Sequence, residues 1–210
     1  NYWQSVVFAQ GKFTAVASLG TNLVMNSTDG ITWTSVGPDE GALNNSFETI
    51  TYGNEMYVAG ASAMDPYTPT TSSIRSNKVD GPWKAYPYNS DNSWAPGYEE
   101  TVYGVSGVAK LFYADIGGSN SKFVDIGYRG VSLSDSTGST WTAQEVFSDG
   151  ELSGGAYGNG AIVIVDAHGW AYDPSDGTRV DMATSLDGGN TWNYIMLGGG
   201  LKGCTFGNNQ

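Results

Sequence analysis

The chain has 210 residues, among them 30 Gly and 13 Tyr, with 14% charged side chains and a formal net charge of −12. That length holds one sizeable core or one repeat array, and that composition favours short strands and tight turns over helices. The acidic balance excludes a basic stripe for nucleic acid and charge-driven adhesion to anionic lipid, no apolar run is long enough to insert into a bilayer, and the lone Cys204 excludes an intrachain disulfide framework.

In chain order, residues 1–6, carrying Trp3, read as a lone closing strand. Four units of four strands follow, at about 7–36, 47–86, 100–146 and 154–197, and residues 201–210 read as a lone opening strand. Each unit opens on an aromatic followed by a small residue, at Phe8, Tyr52, Tyr103 and Tyr157, and the pattern starts again at Phe206. A Trp closes each unit, at Trp33, Trp83, Trp141 and Trp192. Between them lie an alternating apolar run such as "KFTAVAS" or "AIVIVD" and a third strand that enters a Ser-rich turn. A repeat of roughly 50 residues with strands a to d in each unit predicts an all-β fold in one domain, a β-propeller of four full blades plus a split or incomplete fifth. Because the two lone end strands are not neighbours within a blade and the chain does not open on Met, the repeat arithmetic favours a segment of a longer protein over a self-contained ring.

The turn before the closing Trp recurs as "STDGITW", "SDSTGSTW" and "SLDGGNTW". A short carboxylate there accepts bonds from nearby backbone N–H groups and fastens the hairpin, while the Trp fills the gap between stacked sheets. The motif therefore reads as scaffolding. It resembles the Asp-box, or BNR repeat, of sialidase-like β-propellers, Ser-x-Asp-x-Gly-x-Thr-Trp. Ser185, Asp187, Gly189, Thr191 and Trp192 match in full; Ser27, Asp29, Gly30, Thr32 and Trp33 match with one residue deleted; Ser134, Gly138, Thr140 and Trp141 match with Ser136 in the Asp position. The second unit keeps Ser76 and Trp83. The resemblance implies a propeller whose boxes lie away from any active site, and it implies a non-enzymatic member of the superfamily.

Antiparallel alternation puts the a–b and c–d connections at one end of each blade and the longer b–c and d–a loops at the other. A local function is expected on the long loops, held by a rigid scaffold. Two carry aromatic clusters: Tyr86, Tyr88, Trp94 and Tyr98 among Asn and Asp, and His168 with Trp170. Rings beside amides and carboxylates suit a sugar, stacking on its C–H face and bonding its hydroxyls; packing of the loop onto its blade is the competing explanation. A lone His is a poor metal ligand set, and the spacing of Asp173, Asp176 and Asp181 is not that of a calcium loop, so no metal or cofactor is expected.

Sialidases clamp a carboxylate with three Arg and carry an Arg-Ile-Pro motif. That motif is missing here, and Arg129 and Arg179 precede their Trp at equivalent distances, which suggests a structural habit of strand c rather than a clamp beside Arg75. Glu40, Glu99, Glu100 and Glu151 fall on the loop face with nothing to pair them as a glycosidase would require. The sequence thus points to a non-catalytic binding or assembly module that contacts glycans or neighbouring subunits, homo-oligomeric or part of a larger assembly, in an extracellular or virion setting such as a phage fibre, tail or decoration protein. A sialidase-like glycoside hydrolase is the alternative.

Overall fold

A computed structural model describes residues 1–37, 46–62, 71–87, 110–127 and 130–207. These residues build four antiparallel four-stranded sheets in chain order and a small two-stranded hairpin. The first sheet is β1 (Tyr2–Ala9), β2 (Lys12–Leu19), β3 (Val24–Ser27) and β4 (Thr34–Ser35); the second is β5 (Ser46–Gly53), β6 (Met56–Ser62), β7 (Thr71–Ser76) and β8 (Lys84–Pro87). The third is β9 (Lys110–Ala114), β10 (Lys122–Ile126), β11 (Gly130–Ser134) and β12 (Trp141–Glu145). The fourth is β13 (Leu152–Gly158), β14 (Ala161–Asp166), β17 (Met182–Ser185) and β18 (Asn193–Ile195), with the hairpin β15 (Ala171–Tyr172) and β16 (Arg179–Val180) inserted between its second and third strands. Among the described residues the one helical turn is Gly118–Asn120.

Turn chemistry sets the first connection of three sheets. Gln10 and Gly11, Asn54 and Glu55, and Asn159 and Gly160 all have positive φ, the conformation that a two-residue hairpin needs to match the right-handed twist of its strands. The first strand of each of these sheets also bulges at one equivalent point, just before Ser5, Thr49 and Gly154, which bends it as it enters the stack.

Sheets pack face to face in sequence, first strand against first strand: β1 on β5, β5 on β9, β9 on β13. This radial stacking of four-stranded sheets is the β-propeller architecture. Alternation along each strand gives every blade two apolar faces, and neighbouring faces merge into continuous cores. One unites Ala9, Val16 and Val24 of the first blade with Ile50, Tyr57, Ile74 and Trp83 of the second. Another unites Phe112, Val124 and Ile126 of the third with Ile162, Ile164 and Trp192 of the fourth. A smaller one joins Val58 to Leu111, Phe123 and Trp141.

The seams share one device. The aromatic next to last in strand a lies over the small residue that ends strand a of the preceding blade. A Cβ on Gly53 would fall 2.0 Å from the ring of Tyr113, and a Cβ on Gly158 would fall 2.0 Å from the ring of Phe206, so these positions admit no side chain without displacing the neighbour. Tyr52 packs against the core that includes Ala9, and the Tyr157 hydroxyl donates to the Asp115 carbonyl at 2.9 Å.

Three expectations change. Residues 1–6 are not a separate closing strand, because Tyr2–Ala9 runs unbroken as the first strand of the first blade. Tyr103 lies outside the described residues, and the run "KLFYA" is the first strand of the third blade, so Tyr113 holds the landmark position. Arg179 sits in the inserted hairpin and not in strand c, which begins at Met182. Residues 201–207 form no strand ladder, yet they lie along β13 in the place of a further innermost strand: Ser153 Oγ donates to the Leu201 carbonyl at 2.5 Å, and Phe206 covers Gly158.

Candidate functional site

The recurring turns are clasps. In the first, the Ser27 hydroxyl donates to Asp29 at 2.9 Å and accepts from the Gly30 N–H at 2.8 Å, while the N–H groups of Ile31 and Thr32 donate to Asp29 at 2.8 and 2.7 Å. The N–H bonds of Thr32 and Ile31, with the Ser27 hydroxyl, hold the Asp29 carboxyl down at about 2. The last turn repeats this: Ser185 donates to Asp187, Gly189 donates to Ser185, and Thr191 donates to Asp187 through its hydroxyl at 2.6 Å and its N–H at 2.9 Å. Those Thr191 bonds keep Asp187 well below the usual carboxylate range.

The third turn corrects the sequence alignment. Asp135, one place earlier than Ser136, carries the clasp, accepting from the hydroxyls of Thr137, Ser139 and Thr140 at 2.8, 2.6 and 2.8 Å. Burial works against its charge, but the Ser139 hydroxyl and N–H and the two Thr hydroxyls outweigh it and hold the carboxyl below its ordinary value. The Asp was legible beside the motif, displaced by one position.

The turns of the second, third and fourth blades are also gripped by the preceding blade. Lys12 pairs with Asp80 at 2.7 Å, Arg75 donates to the Thr137 carbonyl at 2.8 Å, Asn54 donates to the Ser136 carbonyl at 2.8 Å, and Lys122 donates to the Gly188 carbonyl at 2.8 Å. The turns thus fasten hairpins and seams, and their carboxylates are saturated by local donors. Their Trp residues differ in burial. Trp83 is 1% exposed, Trp141 and Trp192 are half-buried against the preceding blade, and Trp33 lines an open cavity instead of filling a core.

At the opposite end of the fourth blade, two loop segments converge on one buried carboxylate. Asp166 is fully buried and accepts the N–H groups of Glu151 at 2.7 Å, His168 at 3.2 Å and Trp170 at 2.8 Å. Gly200 packs so tightly on this loop that a Cβ would meet the Ala167 carbonyl at 2.1 Å. Arg179 Nε donates to the Gly169 carbonyl and supports the loop from the inserted hairpin. Beside it Asp181, also buried, accepts from the N–H groups of Leu197 and Gly198 at 2.5 and 2.6 Å. Burial raises its carboxyl, yet the N–H bonds of Leu197, Gly198 and Gly199 outweigh this and leave it lowered.

What this frame holds up is aromatic. The rings of His168 and Trp170 stack at 5.1 Å with 26° between planes, Trp170 is 62% exposed, and His168 Nδ1 lies 3.3 Å from the Glu151 carboxylate. Tyr172, 38% exposed, follows on β15 of the inserted hairpin. An open indole face flanked by an imidazole and a carboxylate offers stacking and hydrogen bonding together. Of the other expected binding residues, Tyr86 lies on β8 at the end of its described stretch, and Tyr88, Trp94 and Tyr98 lie outside the described residues. Glu40, Glu99, Glu100 and Arg129 also lie outside them.

The remaining chemistry is dispersed. Asp173 accepts from Ser175 and Asp176 from the Thr178 N–H, so these carboxylates serve their own turns, and among the described residues no three His, Cys, Asp or Glu gather as a metal set. Arg75 grips a clasp at one end of the blades while Arg179 supports the loop at the other. Cys204 is half-buried, and burial raises its thiol. Among the described residues no helix is long and apolar enough to cross a membrane.

No family model matches the sequence, and no curated protein matches it. The fold, in contrast, is similar to solved propeller structures. YCF48 from Cyanidioschyzon merolae superposes with a TM-score of 0.56 at 14% identity, over 92% of this chain and 56% of that one. YCF48 bound to D1 peptide gives 0.52 at 11% identity, over 91% of this chain and 67% of that one. A GH74 enzyme of Niastella koreensis gives 0.56 at 15% identity, over 92% and 29%, and the Pan2 WD40 domain of Neurospora crassa gives 0.56 at 9% identity, over 92% and 52%. Such identities establish the architecture alone. The chain spans about half the length of the YCF48 and Pan2 structures it resembles.

Proposed function

We propose that this chain is a non-catalytic propeller module of the Asp-box kind that binds through its loop face, contacting glycans or the surface of a neighbouring subunit. The observation that carries this reading is the exposed Trp170 ring stacked on His168 beside Glu151, on a loop fixed by the buried Asp166. A large aromatic is left in solvent while three backbone N–H bonds hold the loop beneath it rigid, an arrangement suited to recognition with little entropy lost on binding. The saturated clasps and the opposite placement of Arg75 and Arg179 weigh against a carboxylate clamp of the sialidase type. That one solved propeller, YCF48, is bound to a peptide makes a protein ligand a reasonable alternative to a sugar on the same scaffold. An extracellular or virion-surface setting, such as a phage fibre, tail or decoration protein, fits the low charge and the Ser, Thr, Asn and Gly content.

A glycan array paired with a panel of aryl glycosides tests the proposal. The expected result is retention of glycans without turnover, with retention lost in Trp170→Ala. Hydrolysis abolished by Glu151→Gln would establish an enzyme instead, and binding that Trp170→Ala leaves intact would remove the platform from the reading.

A further inference from the structure

We infer that the glycan taken by the Trp170 platform is a cationic one, an oligosaccharide of hexosamine residues with free amines, and that Glu151 is the residue that selects it. This rests on the platform being the binding surface and narrows what binds there. The carboxylate is fixed from below. The Glu151 N–H donates to Asp166 Oδ1 at 2.7 Å, and the Glu151 carbonyl accepts from the Ala167 N–H at 2.7 Å. Its backbone is thereby tied to the loop whose Trp170 N–H donates to the same Asp166. The Glu151 side chain is 60% exposed; one carboxylate oxygen lies 3.3 Å from His168 Nδ1, and the other has no hydrogen-bond partner among the described residues. Carboxylate and indole therefore both meet one imidazole ring, the first at its edge and the second on its face. A pyranose laid with its C–H face on the indole directs its equatorial substituents outward, and an ammonium there can meet the acceptor-only carboxylate in a charge-assisted hydrogen bond. A hydroxyl or an acetamide makes that bond without the charge.

The sign of the surrounding charge agrees. Between residues 149 and 181 the chain carries six carboxylates against one Arg and no Lys. Two of the six, Asp166 and Asp181, are buried beneath the loop, where solvent screens them least, and the bonds they accept there come from backbone N–H groups. Arg179 gives its Nε to the Gly169 carbonyl, while Lys12, Arg75 and Lys122 grip turns at the opposite end of the blades. The field over Trp170 is therefore negative. It draws in an amine and repels a sialic acid, a uronic acid or a sulfate ester.

Biolayer interferometry of the 210-residue chain against three immobilised hexamers tests this: β-1,4-glucosamine, its N-acetylated counterpart and α-1,4-galacturonic acid, in a buffer acidic enough to keep the amines protonated. The glucosamine hexamer is expected to bind about fivefold more tightly than the N-acetylated one, the upper end for a solvent-exposed ion pair, and the galacturonic acid hexamer is expected not to be retained. The gap is expected to close as salt rises from about 10 mM to about 1 M, which shortens the screening length from about 30 to about 3 Å. Glu151→Gln is expected to hold the N-acetylated hexamer as the parent does and to lose the preference for the amine. Glu151→Lys should turn the preference toward galacturonic acid, and Trp170→Ala should release all three, with the thermal melts of these exposed-site variants unchanged. Equal or tighter binding of the N-acetylated or galacturonic acid hexamer, still abolished by Trp170→Ala, overturns the inference and leaves the platform standing. A preference for the amine that survives Glu151→Gln also overturns it, because another group would then be reading the charge. Retention of none of the three overturns the inference and the glycan reading together.

Discussion

The leading faces of the first two blades are built to one pattern and end in opposite states. Ile50, Tyr57, Ile74 and Trp83 of the second blade are between 0 and 5% exposed, because the first blade covers them. Their counterparts in the first blade, Val6, Phe13, Met25 and Trp33, are exposed or only half-buried, and Val6, Met25 and Trp33 line an open cavity. An apolar strand face is therefore an offer of burial, and the stabilisation it yields depends on what lies opposite. The third blade adds a variation at the same register: the position of Ala15 and Ala59 is held by Asp125, one oxygen of which is shut off from solvent with no hydrogen-bond partner.

The sharpest way to break this comparison is to truncate the equivalent indoles. Trp83→Ala should lose about 3–5 kcal/mol of unfolding free energy, and Trp33→Ala about 1 kcal/mol or less, as read by urea denaturation of the 210-residue chain. Equal losses would mean that the two faces are equally covered in solution.

The clasp of the third blade comes next. Asp135→Ala removes the acceptor for three hydroxyls and should cost on the order of 1–2 kcal/mol, whereas Ser136→Ala should be near neutral. A reversed ranking would return the clasp to the position that alignment of the motif indicates.

A pH-dependent effect concerns Asp125, whose carboxyl burial pushes up to about 7 against the opposing N–H bond of Ile126. A group with a raised folded pKa favours folding fully below its unfolded value of 3.8 and loses that contribution as pH rises toward 7. Asp125→Asn, which does not ionise, should therefore melt above the parent at about pH 8 and match it near pH 4. The clasps behave oppositely. Asp29, held at about 2, contributes above 3.8 and loses that contribution only as pH falls through 2, so it adds nothing to the alkaline difference.

How far the sequence could be read differs by element. The repeat of aromatics and Trp, the four-stranded units and the clasps at Asp29 and Asp187 were legible because each depends on residues within one hairpin or on strand alternation. Phe8, Tyr52 and Tyr157 marked first strands correctly. The third unit misled because Tyr103, also followed by Gly, imitates the landmark, and local pattern does not reveal which apolar run pairs with which. His168 and Trp170 stood out as aromatics in a loop, but Asp166 beneath them looked like the polar end of a strand, since its three donors come from residues fifteen or fewer positions away in two different loops.

By itself, then, the sequence determined what is local: alternating strands, turns with positive φ, acidic hairpin clasps and a unit repeated along the chain. Tertiary structure alone decided what depends on a neighbour: which Trp is wedged and which faces a cavity, which aspartate fastens the third turn, and that residues 201–207 lie along the last blade. Hydrogen bonds that close within a few residues are written in order along the chain. Burial is a property of two surfaces brought together, and only one of them belongs to the segment being read.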